Sequence, residues 1–251
     1  MPSLRAVVKR IQMSLALNQS RRWLRPALLL FAVLPTLAAA EPLWVFTSVL
    51  PVKTFVERVG GPHVEARALV QPGYDPHTYE PTPQQIVALT KAVLYVRAGV
   101  PFEDAWMARI RSANPDMRVL EVGADARVQH VPAHPRDQPK AVDDHDPHDS
   151  AVDRHGHAHT DEVDPHVWTS PRRVRQMVGQ IRDSLSALDP DNAEDYAARH
   201  DAFVAELDAL DRDIHDLLDP LTHRRFMVFH PAWGHFAEAY GLVQALPEVP
   251  V

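Results

Sequence analysis

The chain has 251 residues, 45% of them hydrophobic, and a formal charge of −7. That is enough apolar material for one large or two small domains, and an acidic balance with no basic stripe interleaved with aromatics argues against a nucleic-acid-binding surface. The absence of cysteine excludes disulfides, thiolate metal sites, catalytic thiols and a lipid-modified N-terminal cysteine, so any metal is held through nitrogen and oxygen.

Residues 1–40 read as a secretory signal peptide. Arg21, Arg22 and Arg25 precede an apolar run from Ala27 that closes on Ala38-Ala39-Ala40, the charged, apolar and small-residue parts of a cleavable leader. The run is shorter than the ~20 residues that span hydrocarbon, which argues against a membrane anchor. Ser20-Arg21-Arg22-Trp23-Leu24 is a faint likeness to a twin-arginine signal, and Met13 is an alternative start. Export without a lipidated cysteine points to the periplasm.

In the mature chain Leu43–Val49 predicts a strand, and Pro51 the first turn of a helix running to about Val59. His63–Val70 alternates Val64, Ala66, Ala68 and Val70 as a second strand, and a Pro/Gly-punctuated loop carrying His77 follows. Thr82 can cap a helix that has Pro83 in its first turn and Ile86 and Leu89 on one face. Val93–Val96, Phe102–Ile110 and Arg118–Val122 then read as strand, helix and strand. Such alternation implies βαβ units and a parallel sheet, with ligands beyond the carboxyl ends of its strands.

The segment from His130 to Trp168 is crowded with histidine and aspartate and nearly free of large apolar residues. It cannot bury enough surface to order itself and reads as a metal-attracting loop. Beyond it, Pro171 opens a helix with Val174, Met177, Val178, Ile181, Leu185 and Leu188 at helical spacing. Asp189 can cap, and Pro190 start, a longer helix that keeps an apolar period from Tyr196 to Leu218 and spans roughly 40 Å. Arg225–Phe229 is then a strand ending on His230, and Ala232–Tyr240 a helix.

Three histidines stand beside ordered elements. His77 follows Asp75-Pro76, which fixes the local backbone, and a nearby carboxylate can orient the second ring nitrogen, as metal-bound imidazoles usually require. His166 is either a ligand or a satisfied histidine at a helix entry, and His230 either a ligand or a core or strand-end histidine. Asp-Pro-His recurs at Asp146-Pro147-His148, so the tripeptide alone does not decide. His235, five positions after His230, reads as packing or surface, and His63, His200, His215 and His223 as solvated or capping. The His-Glu-x-x-His pattern of zinc proteases is absent.

Tyr74-Asp75-Pro76-His77-Thr78-Tyr79-Glu80-Pro81, Asp164-Pro165-His166-Val167-Trp168-Thr169-Ser170-Pro171, Asp189-Pro190-Asp191-Asn192-Ala193 and Phe229-His230-Pro231-Ala232-Trp233-Gly234-His235-Phe236 together resemble the signatures of the zinc and manganese solute-binding proteins of ABC importers. The resemblance covers Pro42 to Leu242. It implies an α/β fold of two lobes with parallel sheets flanked by helices and metal in the cleft between them. The N-terminal lobe would occupy 41–188, with the His/Asp-rich loop at 129–163, the linking helix 189–219, and the start of the C-terminal lobe 220–251. Family members continue well past the region of Gly241, so the second lobe, with one strand and one helix, reads as truncated. His77 and His166 would be ligands from the first lobe and His230 from the second, with water, Asp75 or Glu80 in fourth place or behind the ligands. His145, His148, His155, His157 and His159 would be auxiliary weak sites. A histidine at the third position goes with zinc, a carboxylate with manganese. The expected function is that of a monomeric, non-enzymatic periplasmic protein delivering Zn2+ to an ABC permease in the inner membrane. The alternatives are a zinc buffer that engages no permease and, more remotely, a three-histidine zinc hydrolase.

Overall fold

The structure is a computed structural model describing residues 41–124 and 164–247. The signal-peptide reading of 1–40 and the histidines His145, His148, His155, His157 and His159 lie outside the described residues. Among the described residues no helix is long and apolar enough to cross a membrane.

Strands β1 (Leu43–Thr47), β2 (Val64–Ala68), β3 (Leu94–Arg97) and β4 (Arg118–Glu121) form one parallel sheet in the order β2-β1-β3-β4. Central β1 pairs Val45 with Ala66 on one side and with Leu94 on the other. Val45, Phe46 and Thr47 are all buried. Burial of consecutive residues means that both sheet faces are covered, as is usual for parallel strands joined by helical crossovers. Edge strand β2 keeps the alternation seen in its sequence, burying Val64, Ala66 and Ala68 but not Glu65 or Arg67.

Helices α1 (Leu50–Gly60), α2 (Pro83–Leu89), α3 (Pro101–Ala113) and α4 (Pro171–Leu188) each carry proline in the first turn, where the missing N–H has no intrahelical partner to lose. Thr82 caps α2 as expected, and Gln85 completes a capping box: Gln85 N–H donates to Thr82 Oγ1 at 3.3 Å and Thr82 N–H to Gln85 Oε1 at 2.9 Å. On α4 the predicted stripe of Val174, Met177, Val178, Ile181 and Leu185 is buried.

The long helix differs from its sequence reading at its N-terminal end. Pro190 opens a short 3-10 turn, Pro190–Asn192, and the α-helix itself, α5, is Ala193–Leu218, about 39 Å long. Asp189 does not cap it. Its carboxylate instead accepts the Tyr196 hydroxyl at 2.7 Å and the Asn192 side-chain amide at 2.8 Å. Tyr196, Phe203 and Leu207 are buried, and α5 packs on α1 and α4. Leu210 and Leu217, in the same apolar period, are 48% and 73% exposed.

A second, two-stranded parallel sheet follows, made of β5 (Arg225–Met227) and β6 (Val243–Ala245), with α6 (Gly234–Tyr240) between them in sequence. The expected strand to Phe229 stops at Met227. Phe229 is 94% exposed, and the Pro231 beyond it has no N–H to extend a ladder. The expected helix start at Ala232 moves to Gly234. Strand β6 corrects the reading of this region as one strand and one helix.

Candidate metal centre

Each of the three histidines singled out lies beyond the carboxyl end of a strand. His77 belongs to the loop after β2, and three ties fix that loop. Asp75 Oδ1 accepts the backbone N–H of His77 at 2.9 Å. Buried Tyr79 donates its hydroxyl to Gln85 Oε1 at 2.8 Å and sets its ring against Phe102. The Gln85 amide in turn donates to Leu69 O at 2.7 Å, at the base of the loop. The His77 backbone is thus held by an Asx turn on one side and an aromatic anchor on the other. His77 Nε2 is buried and has no hydrogen-bond partner.

His166 is fixed by its neighbours in sequence. Val167, 1% exposed, packs over Gly123 at the end of β4. Gly123 adopts φ +74°, and a Cβ there would stand 3.2 Å from the Val167 side chain, so a side chain would be both strained and crowded. Asp164 repeats the Asp75 turn, with Oδ1 accepting the His166 N–H at 2.9 Å, and goes further: the same Oδ1 lies 2.7 Å from the ring Nδ1. Burial tends to raise the Asp164 carboxyl, but hydrogen bonds from the His166 ring and backbone outweigh it and hold the group below the usual carboxylate range. An ionised Asp164 takes Nδ1–H from His166, leaving Nε2 as the free lone pair.

His230 lies three residues past β5 and is exposed, which corrects its reading as a core or strand-end histidine. Desolvation, helped by the neighbouring His166 and His77 imidazoles, holds it below the usual imidazole range, with Asp75 and Asp164 acting in the opposite sense. Its Nε2 is 3.3 Å from His166 Nε2. With the His166 Nδ1 proton committed to Asp164, His230 is the donor in that contact.

The ligand atoms of His77, His166 and His230 all lie within 4.8 Å of one another. Two nitrogens bound at 2.0–2.1 Å to one tetrahedral zinc stand about 3.3–3.4 Å apart, so the His166–His230 spacing is already that of a zinc tetrahedron's edge. The rings meet at 5.1–5.9 Å between centroids. Neither Asp75 nor Glu80, both exposed, belongs to the converging group. Among the described residues the other histidines are not part of it. His63 pairs with Asp195 at 2.9 Å and abuts the Tyr196 ring, His200 pairs with Asp201 at 2.9 Å, and His215 faces the Tyr240 ring. His235 is a residue that sequence reasoning left as packing or surface. It is 1% exposed, and its Nε2 lies 3.0 Å from the Asp164 backbone oxygen. Its partner is 71 positions away, and no local pattern marks such a contact.

Residues 45–250 match the family described as "ZnuA: Zinc-uptake complex component A periplasmic". The chain is similar to the zinc-binding lipoprotein AdcA of Streptococcus pneumoniae serotype 4, at 30% identity over 200 residues, which covers 80% of this chain and 38% of that protein. It is also similar to the manganese-binding lipoprotein MntA of Halalkalibacterium halodurans, at 29% identity over 203 residues, 80% of this chain and 59% of that one. The crystal structure of a ZnuA deletion mutant with zinc bound superposes with a TM-score of 0.65 at 35% identity, over 84% of this chain and 71% of that one. The chain therefore spans 38% to 59% of the length of these two lipoproteins.

Proposed function

From the premise that this chain belongs to the family of the periplasmic component A of zinc-uptake complexes, we propose that it captures Zn2+ outside the cytoplasm and hands it to the permease of an ABC importer. His77, His166 and His230 are the ligands in this reading. The observation that carries it is the convergence of three imidazoles within 4.8 Å, with no carboxylate in the group among the described residues.

That donor set bears on the choice of metal, because the relatives include a manganese-binding as well as a zinc-binding lipoprotein. Imidazole suits borderline cations such as zinc, whereas manganese is better served by carboxylate and water. The buried, partnerless His77 Nε2 supports the same reading, since a cation would supply the partner it lacks. Three protein ligands leave a fourth position for water or for Asp75, which already adjoins His77. The ion is cargo, so the protein's task is to bind, orient and release, and no covalent step is required.

The test is zinc binding by calorimetry and chelator competition on the full chain and on a His77→Ala, His166→Ala, His230→Ala triple variant. Loss of the tight site in the triple variant is expected, and unchanged tight binding would refute the assignment. A variant lacking residues 130–159 should keep one tight site. Loss of all binding there would instead place the zinc in that segment and favour a buffer.

A further inference from the structure

We propose that Asp164 is a shared positioning residue, one that sets the separation of His166 and His230 by holding both of their chain segments while not itself joining the ligand group. The inference rests on the zinc reading of the three-histidine site.

All of the acceptors of Asp164 are in use, and they divide between two parts of the chain. Oδ1 takes the backbone N–H of His166 at 2.9 Å and faces its Nδ1 at 2.7 Å. Oδ2 accepts the backbone N–H of Gly234 at 3.2 Å, and the backbone carbonyl faces His235 Nε2 at 3.0 Å. Asp164 is 4% exposed and His235 1% exposed, so neither bond has water as a ready substitute.

The second pair of contacts reaches His230 through a short, stiff connection. The Ala232 N–H folds back on His230 O at 2.8 Å, Pro231 restricts the residue before it, and the Trp233 N–H is bonded to Gln244 Oε1 at 2.8 Å. Gly234 therefore stands at a fixed offset from His230. The absence of a side chain at Gly234 is what permits the approach, because a Cβ there would lie 2.5 Å from Asp164 Oδ2. One carboxylate thus sits between the turn carrying His166 and the turn following His230. The 3.3 Å between the two Nε2 atoms follows from that bridge.

Two substitutions strike the bridge from opposite sides. In Asp164→Asn the side-chain oxygen can serve the His166 ring or the Gly234 N–H, but not both. In Gly234→Ala the carboxylate stays and the turn is pushed off it. Each is expected to weaken zinc binding 10- to 100-fold in chelator competition, the usual consequence of loosening the group behind a metal-bound imidazole. Each is also expected to alter the visible absorption of the Co2+-loaded protein, which reports ligand geometry and which mere loss of stability leaves unchanged. In an Asp164→Ala background the clash partner is gone, so adding Gly234→Ala should cost nothing more. Independent losses would multiply instead.

Wild-type affinity and Co2+ spectrum in both single variants overturn the proposal, as do losses that multiply in the double variant. Thermal unfolding of the ion-free proteins separates loosened ligands from an unfolded chain. If Asp164→Asn fails to fold, Gly234→Ala carries the same readouts alone. The triple-histidine variant measured in parallel keeps the two readings apart. Tight binding in that variant removes the zinc site itself, whereas its loss beside wild-type behaviour of the Asp164 and Gly234 variants removes only the bridge.

Discussion

Glu103 is fully buried at the carboxyl ends of β1 and β3, and replacing it with leucine or with glutamine should have very different consequences. Its Oε1 accepts the Ser48 hydroxyl at 2.5 Å and the Tyr95 hydroxyl at 2.8 Å, while Oε2 accepts the N–H groups of Gly99 at 2.6 Å and Val100 at 3.0 Å. Leucine removes every acceptor. Ser48 can turn toward Val96 O at 3.3 Å, which leaves the Tyr95 hydroxyl and two amides without partners. At ~1–3 kcal/mol for each buried donor so left, partly offset by losing a desolvated carboxyl, the cost is about 4 kcal/mol. For a chain of this size that lowers the Tm by about 8–16 °C. Glutamine can present its oxygen to the two amides and its NH2 to the hydroxyls, which rotate to accept, so its cost is no more than about 1 kcal/mol. Thermal unfolding of the ion-free chain, followed by circular dichroism, reads both. A leucine variant melting within a few degrees of wild type refutes the reasoning, as does a glutamine variant that falls equally far. Zinc affinity should follow the same order, because the Gly99–Val100 turn leads into Phe102, on which the Tyr79 anchor of the His77 loop rests.

The same residue gives a pH prediction. Burial pushes the Glu103 carboxyl up despite its hydrogen bonds to Ser48, Tyr95 and Gly99. A raised native pKa contributes stability that is full below the unfolded value of about 4.3 and declines as pH rises through the native value, so Glu103→Gln should flatten that decline in urea midpoints taken between pH 4 and 7. Since His230 is held below the usual imidazole range, its protonation competes with zinc only on the acid side of that range. Zinc affinity measured by competition should be nearly level from pH 8 to 7 and fall below about 6.5, and a steep loss already between 8 and 7 would contradict this. Thr82→Ala removes the α2 cap and should cost about 1 kcal/mol with zinc affinity intact, measured by urea unfolding. Ile181→Ala, at a fully buried core position on α4, should cost about 2–5 kcal/mol by the same measurement, and a neutral result would mean that α4 does not pack as described.

The βα alternation was legible because its signals are local. Prolines in the first turns of α1, α2 and α4, Thr82 before Pro83 and the period-two burial of β2 can all be read within a few residues of where they act. Periodicity also gave the apolar face of α5 but not what covers it: Tyr196 and Phe203 are buried, Leu217 is exposed, and nothing in their spacing distinguishes them. Strand β6 is three residues long and carries too little pattern to be seen. In the candidate metal centre His77, His166 and His230 stand out by their motifs, whereas the proposed roles of Asp164, Gly234 and His235 do not. Those roles are contacts between residues about 70 positions apart, and each residue taken alone has an ordinary local explanation.

The 3.3 Å contact between His166 and His230 bears on which ions can enter. With Asp164 holding the Nδ1 proton of His166, the hydrogen shared by the two Nε2 atoms belongs to His230, and a cation must displace it, moving that ring to its other tautomer. Entry is therefore an exchange between a hydrogen and an ion on nitrogen. In the proposed role calcium and magnesium gain little from imidazole, whereas zinc gains enough to make that exchange favourable, so the nitrogen donors themselves discriminate against abundant hard cations before any fourth ligand is engaged.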